Sequence, residues 1–193
     1  KIEFQRGGTY VVMEGPQFST LAESNLYRSW KADVIGMTNM PEAKLAIIGG
    51  SGLYDVEEFK ERELLQIDTP WGNPSDKILK TKYNNQDVLF LPRHGRGHSI
   101  SPSNINFRAN IDALKQLGVT DIVSVSAVGS LKEDLPPGKF VIVDQFIDRT
   151  FSRNKTFFDD EIVAHVSMAH PTSNGLMNAC EDAIKKSKIE YQR

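Results

Sequence analysis

Short β-branched runs alternate with amphipathic stretches along the chain, and this alternation limits the possible folds more than any other feature. Thr9–Met13, Asp33–Met37, Leu45–Ile48, Asp87–Leu91, Asp121–Ser126 and Phe140–Asp144 each read as a strand. Between them, Thr20-x-x-Glu23 is a capping box ahead of Ala22, Leu26 and Trp30 at helical spacing. Ser103 opens a second helical stretch, with Phe107, Ile111 and Leu114 on one stripe and Gly118 at its close. A third begins at Ser173 and turns Leu176, Cys180, Ala183 and Ile184 inward. It ends among Lys185, Lys186 and Lys188, where cations suit the helix dipole. Such alternation predicts one α/β domain over residues 1–193, its sheet covered on both faces.

Composition narrows the class. With 193 residues the chain is long enough to bury about 70% of its unfolded surface. Hydrophobic residues at 39% and charged residues at 25% are ordinary globular values. The 23 Lys and Arg against 25 Asp and Glu leave no basic excess for nucleic-acid phosphates, so no nucleic-acid partner is expected. No apolar run reaches the ~20 residues of a membrane span, and no signal peptide opens the chain, so no membrane partner is expected either. The single cysteine, Cys180, cannot form an internal disulfide and is a poor start for a metal site. A cytoplasmic protein is the resulting expectation. One further feature is an echo: Lys1-Ile2-Glu3-Phe4-Gln5-Arg6 nearly repeats Lys188-Ile189-Glu190-Tyr191-Gln192-Arg193. The chain therefore reads as a circle, in which Gly7 could follow Arg193 directly.

Five segments carry possible chemistry, and each has a plainer reading beside it. Ile47-Ile48-Gly49-Gly50-Ser51-Gly52 runs a strand into glycines, so backbone N–H groups and the Ser51 hydroxyl can approach an anion. A tight turn fits the same residues, and no Gly-Lys-Ser/Thr follows to make a P-loop. Leu91-Pro92-Arg93-His94-Gly95-Arg96-Gly97-His98 gathers two arginines and two histidines where they can converge on an oxyanion. A solvated cationic loop is the alternative. His94 and His98 have zinc-pair spacing, but Gly95 and Gly97 disfavour a helix and no glutamate base accompanies them. Ser124-Val125-Ser126-Ala127-Val128-Gly129 ends a strand in small residues, suited to a ligand or to a crossing helix. Phe18, in Met13–Ser19, could stack on a planar ring or serve as a hydrophobic staple. Met37 and Thr38 lie just past another strand and could equally be a core residue and a cap.

Taken together, IIGGSGLY, DTPWGNPSD, RHGRGHSISPSNINFRANIDALKQLGV, SVSAVGSLKEDLPPGKFVIVDQFIDRT, GGTYVVMEGPQFSTLAES and WKADVIGMTNMPEAKLA resemble the 5′-methylthioadenosine phosphorylases of the trimeric purine nucleoside phosphorylase family. The resemblance implies a nucleoside-phosphorylase-like α/β fold with a central mixed sheet, here incomplete. It implies phosphorolysis, in which inorganic phosphate displaces adenine and leaves 5-methylthioribose 1-phosphate. By this likeness the phosphate cradle comprises Ser51, Arg93, His94, Ser126, Ala127 and Thr38, with Arg93 and His94 orienting the nucleophile. Met37 lines the ribose, Phe18 lies against the purine with Ser19 beside it, and Gly129 belongs to the substrate site. His165 resembles a histidine that reaches into a neighbouring subunit, which implies a homotrimer. No metal and no organic cofactor is implied.

The order departs from the family. Residues 1–46 resemble its later segment and residues 47–193 its amino-terminal part, a circularly permuted arrangement. The family's stretch after PEAKLA, with the aspartates that bind and protonate the purine, has no counterpart in these 193 residues, and neither Asp33 nor Asp144 matches it. The chain is expected to be short of a full subunit. Methylthioinosine or another purine nucleoside is the alternative substrate, and a non-catalytic phosphate- or nucleoside-binding fragment is the alternative role.

Overall fold

The computed structural model describes residues 10–12, 34–36, 44–50, 60–84, 86–158 and 162–193. The chain divides into two compact units, Lys1–Ala43 and Lys44–Arg193. In the first, β1 (Tyr10–Val12) and β2 (Val34–Gly36) pair in parallel, Tyr10 opposite Val34 and Val12 opposite Gly36. The helix read from Thr20 to Trp30 lies outside the described residues.

The second unit is built on a five-stranded mixed sheet. Its strands are β3 (Leu45–Gly49), β4 (Lys60–Leu65), β5 (Ile78–Tyr83), β6 (Gln86–Pro92) and β7 (Asp121–Ser124), in the order β4-β5-β6-β3-β7. The β4–β5 and β5–β6 pairs are antiparallel. β3 lies parallel to both β6 and β7. Strand β6 owes its central place to Val88–Pro92, all buried, because a strand covered on both faces has no need of polar alternation. Its period of two sends Leu89 and Leu91 to one face and Val88 and Phe90 to the other.

Helix α1 (Phe107–Gln116) closes the first face, laying Ala113 and Leu114 against Ala46, Ile78, Leu89 and Leu91. Its buried positions are Ala109, Asn110, Ala113 and Leu114, whereas Phe107 and Ile111 of the expected stripe are exposed. Small alanines let the helix backbone come close to the sheet, and this selects a stripe offset from the large apolar residues. The start differs too: residues 102–104 form a short 3-10 turn, and Asn106 rather than Ser103 caps the helix, accepting from Ala109 N at 3.1 Å. At the far end, Gly118 at φ +76 stops it.

Helix α2 (Asn174–Lys186) begins where expected, with the Ser173 hydroxyl accepting from Leu176 N at 3.4 Å. Met177 is its buried residue, Leu176, Cys180 and Ile184 are half-buried, and Ala183 is exposed, against expectation. Two short strands, β8 (Phe140–Val141) and β9 (Tyr191–Gln192), pair in parallel. The strand expected over Phe140–Asp144 is thus two residues long, and that over Asp121–Ser126 stops at Ser124.

Candidate functional site

The sheet order brings three parallel strand ends to one edge. Gly49 of β3 stands opposite Pro92 of β6, and Ile48 opposite Ser124 of β7. The segments that leave these ends are Gly50 onward, Arg93–His94 and Val125–Gly129, which are three of the five singled out in the sequence. Carboxyl ends of parallel strands are where open α/β sheets receive ligands, because each outgoing chain must turn there and expose backbone N–H groups. The edge is bound together by the backbone: Arg93 N donates to Gly49 O at 3.2 Å and Val125 N to Ile48 O at 2.8 Å.

A side chain ties the second and third segments. Arg93 Nη1 donates to Val125 O at 2.8 Å, which draws the guanidinium across β3 to the start of the Ser126–Ala127 stretch. Arg93 Nε donates to His94 Nε2 at 3.2 Å. His94 Nδ1 meets Ile100 O at 2.9 Å, and Ile100 N returns a bond to His94 O at 2.9 Å. A carbonyl oxygen can only accept, so the imidazole proton sits on Nδ1 and Nε2 keeps the lone pair that receives the Arg93 N–H. The His94 side chain is buried, and its ring stacks on that of His98 with centroids 4.3 Å apart and planes 24° apart. Stacked faces do not converge two lone pairs on a metal ion.

The expected convergence of both arginines does not occur. Arg96 is taken up by Asp76, with Arg96 N to Oδ2 at 2.8 Å and Arg96 Nε to the same oxygen at 3.6 Å. The loop is seated on residues that sequence reasoning missed. Asn110, 2% exposed on α1, accepts from Ser75 N at 2.7 Å and donates to Ser75 Oγ at 2.9 Å, and Gly95 packs beside Ser75 O. The available signal was Asn110 itself, an amide facing inward among alanines, which a buried position requires to be bonded.

Ser126, Ala127 and Gly129 lie exposed on an irregular stretch beyond β7. His165 is exposed on another irregular stretch, with no described hydrogen bond. Ser51, Thr38, Met37, Phe18 and Ser19 lie outside the described residues. Among the described residues, then, the structure brings together Arg93, His94 and the chain leading into Ser126–Ala127.

Comparison with known proteins gives the family. A sequence model of the phosphorylase superfamily matches residues 1–46 and, separately, 44–193. An S-methyl-5′-thioadenosine phosphorylase of Rhodospirillum rubrum is 54% identical over 149 residues, covering 77% of this chain and 51% of that protein. One from Saccharolobus solfataricus is 54% identical over 149 residues, covering 77% and 55%. Among solved structures, a methylthioadenosine phosphorylase from an antarctic soil metagenomic library superposes with a TM-score of 0.74 at 49% identity, covering 78% of this chain and 53% of that one. The Schistosoma mansoni methylthioadenosine phosphorylase in complex with adenine gives a TM-score of 0.71 at 41% identity, covering 76% and 55%. The chain spans about half the length of the curated relatives it matches. Matched from Lys1 to Arg193, the chain belongs to the phosphorylase superfamily.

Proposed function

We propose that the chain encodes the phosphate cradle and part of the nucleoside site of an enzyme that cleaves 5′-methylthioadenosine by phosphorolysis, giving adenine and 5-methylthioribose 1-phosphate. The observation that carries this reading is the Arg93 guanidinium held to Val125 O at the edge where β6, β3 and β7 end. A phosphate dianion needs a fixed cation and several neutral donors, and this edge offers Arg93 beside the backbone of Ser126 and Ala127. The likeness to proteins named S-methyl-5′-thioadenosine phosphorylase supports the substrate.

In the proposed reaction the C1′–N9 bond breaks ahead of attack, and the sugar gains oxocarbenium character. Its electron pair leaves with the purine, which takes a proton or hydrogen bond at N7. A phosphate oxygen below the ring then forms the new C1′–O bond. Arg93 supplies charge and orientation to the nucleophile, a proximity effect, and the family resemblance assigns Thr38 and Ser51 to the same phosphate. The family resemblance assigns Met37 and Gly129 to the sugar, and Phe18 and Ser19 to the base. His165 reaches a neighbouring subunit's site in a homotrimer. Phosphate is itself the nucleophile, so the reaction asks for no metal and no organic cofactor.

The test is an assay of adenine release from 5′-methylthioadenosine with and without phosphate. Phosphate-dependent release supports the reading. No turnover, with phosphate still raising the melting temperature, marks a binding fragment instead. Arg93→Ala is expected to weaken phosphate binding at least about tenfold, since it removes charge-assisted bonds. An unchanged phosphate affinity in that variant overturns the cradle.

A further inference from the structure

We propose that the His94 imidazole is a positioning residue, which holds the Arg93 guanidinium at the strand edge and does not itself touch the anion. This deepens the phosphorolytic reading and rests on it only for the identity of that anion. The bonds run in one direction. Ile100 O accepts from His94 Nδ1, His94 Nε2 accepts from Arg93 Nε, and Arg93 Nη1 donates to Val125 O, at 2.9, 3.2 and 2.8 Å.

Two consequences follow from this direction. Both ring nitrogens are engaged, so the imidazole has no N–H left to offer an oxyanion. A guanidinium is planar, so holding Nε on one side and Nη1 on the other sets both its plane and its rotation. The other N–H groups of Arg93 are left to face a ligand without a search through rotamers. Binding then forfeits less side-chain freedom than it would with a mobile arginine.

The holder is itself held. His94 is 7% exposed, its carbonyl accepts from Ile100 N, and His98 covers its ring. His98 adopts φ +59, a left-handed conformation uncommon outside glycine, just after Gly95 at φ +69 and Gly97 at φ +72. The glycines of the Arg-His-Gly-Arg-Gly-His run therefore build a clasp that folds 98 and 100 back over 94. They do not merely loosen a cationic loop.

The experiment separates acceptor from bulk. His94→Phe keeps a buried ring for His98 to stack on but has no acceptor, while His94→Gln restores an acceptor near the Nε2 position. Nitrogen-15 NMR of the full chain reports the imidazole tautomer and the Arg93 Nε–H resonance directly. The expected result in the unmodified chain is a neutral Nδ1–H tautomer and a distinct, slowly exchanging Nε–H. In His94→Phe that resonance collapses towards free arginine and inorganic phosphate binds about tenfold more weakly, while His94→Gln stays within about threefold. An Nε2–H tautomer, or an Arg93 Nε–H signal unmoved in His94→Phe, overturns the proposal. The tautomer is read on the unmodified chain, so a variant that fails to fold does not shield the idea. If the unmodified chain binds no phosphate, phosphorolysis fails while the two NMR signals still decide the role of His94.

Discussion

Gly95 shows how much of the site depends on one missing methyl group. It sits at φ +69, and a Cβ there would lie 3.2 Å from both Ser75 O and Ser99 Oγ. Gly97 sits at φ +72 with no described atom within 4 Å of its Cβ position. Gly95→Ala therefore combines backbone strain with a clash against a carbonyl, and about 1–3 kcal/mol of stability is expected to be lost. Gly97→Ala meets the strain alone, about 1 kcal/mol. Chemical denaturation of the two variants checks this, and an equal loss in both would contradict the close seat of Gly95 on Ser75. From sequence the arginines looked equivalent, since both follow a strand in a run of glycines. What separates them is Asp76, 20 residues upstream, which takes Arg96 out of contention. Local spacing does not encode a partner that only the fold brings near. Arg93 was legible because it immediately follows the strand.

Strands that sequence reading recovered are those buried on both faces or rich in β-branched residues, such as β3, β6 and β7. Those it missed, β4 and β5, lack that signature: Lys-Glu-Arg-Glu-Leu-Leu opens on four charges in a row, and Ile-Leu-Lys-Thr-Lys-Tyr sets its apolar pair side by side ahead of two lysines. They are strands because they extend β6 by antiparallel pairing, a tertiary cause. Strand β9 was missed because two residues have no period. It is held by a side chain on α2. Glu181 accepts from Tyr191 OH at 2.8 Å and pairs with Lys185 and Arg193, each at 2.7 Å. Lys185 first, then Arg193 and Tyr191, pull the Glu181 carboxyl down from 4.5 to about 2. The folded value lies below the unfolded one, so this contribution is fully present above pH 4.5 and is lost as pH falls through about 2. Phe140 and Ile142 donate to Glu190 O and Gln192 O of the β9 segment, so their amide protection is expected to fall across that window. In Glu181→Gln it is already reduced at neutral pH and flat across the same acid range. Protection that follows the same acid curve in both proteins would detach β9 from Glu181.

At the scale of the molecule, the family was legible because long motifs agree, and two separate matches, 1–46 and 44–193, account for the whole length. What local pattern could not show is where apolar surface goes uncovered. From Val125 to Met168 the described chain exposes Val128, Leu131, Ile147, Phe151, Val163 and Val166, with Ile147 at 88% and Phe151 at 95%. Scattered apolar residues are normal on a surface, but so many large ones in one span exceed what isolated monomers usually show. In the proposed homotrimer, a neighbouring subunit would cover part of this span. In a single copy these side chains touch almost nothing, so at concentrations too low for association, replacing Ile147 and Phe151 together with lysine is expected to shift unfolding by no more than about 0.5 kcal/mol. The same double variant should bind much less of a hydrophobic dye and elute as a smaller species than the unmodified chain. Dye binding of the unmodified chain should also fall with rising concentration, as copies cover one another. A double variant that unfolds early even at those concentrations would mean that these side chains are packed within the single chain. Unchanged dye binding and elution in that variant would remove the span from any subunit contact.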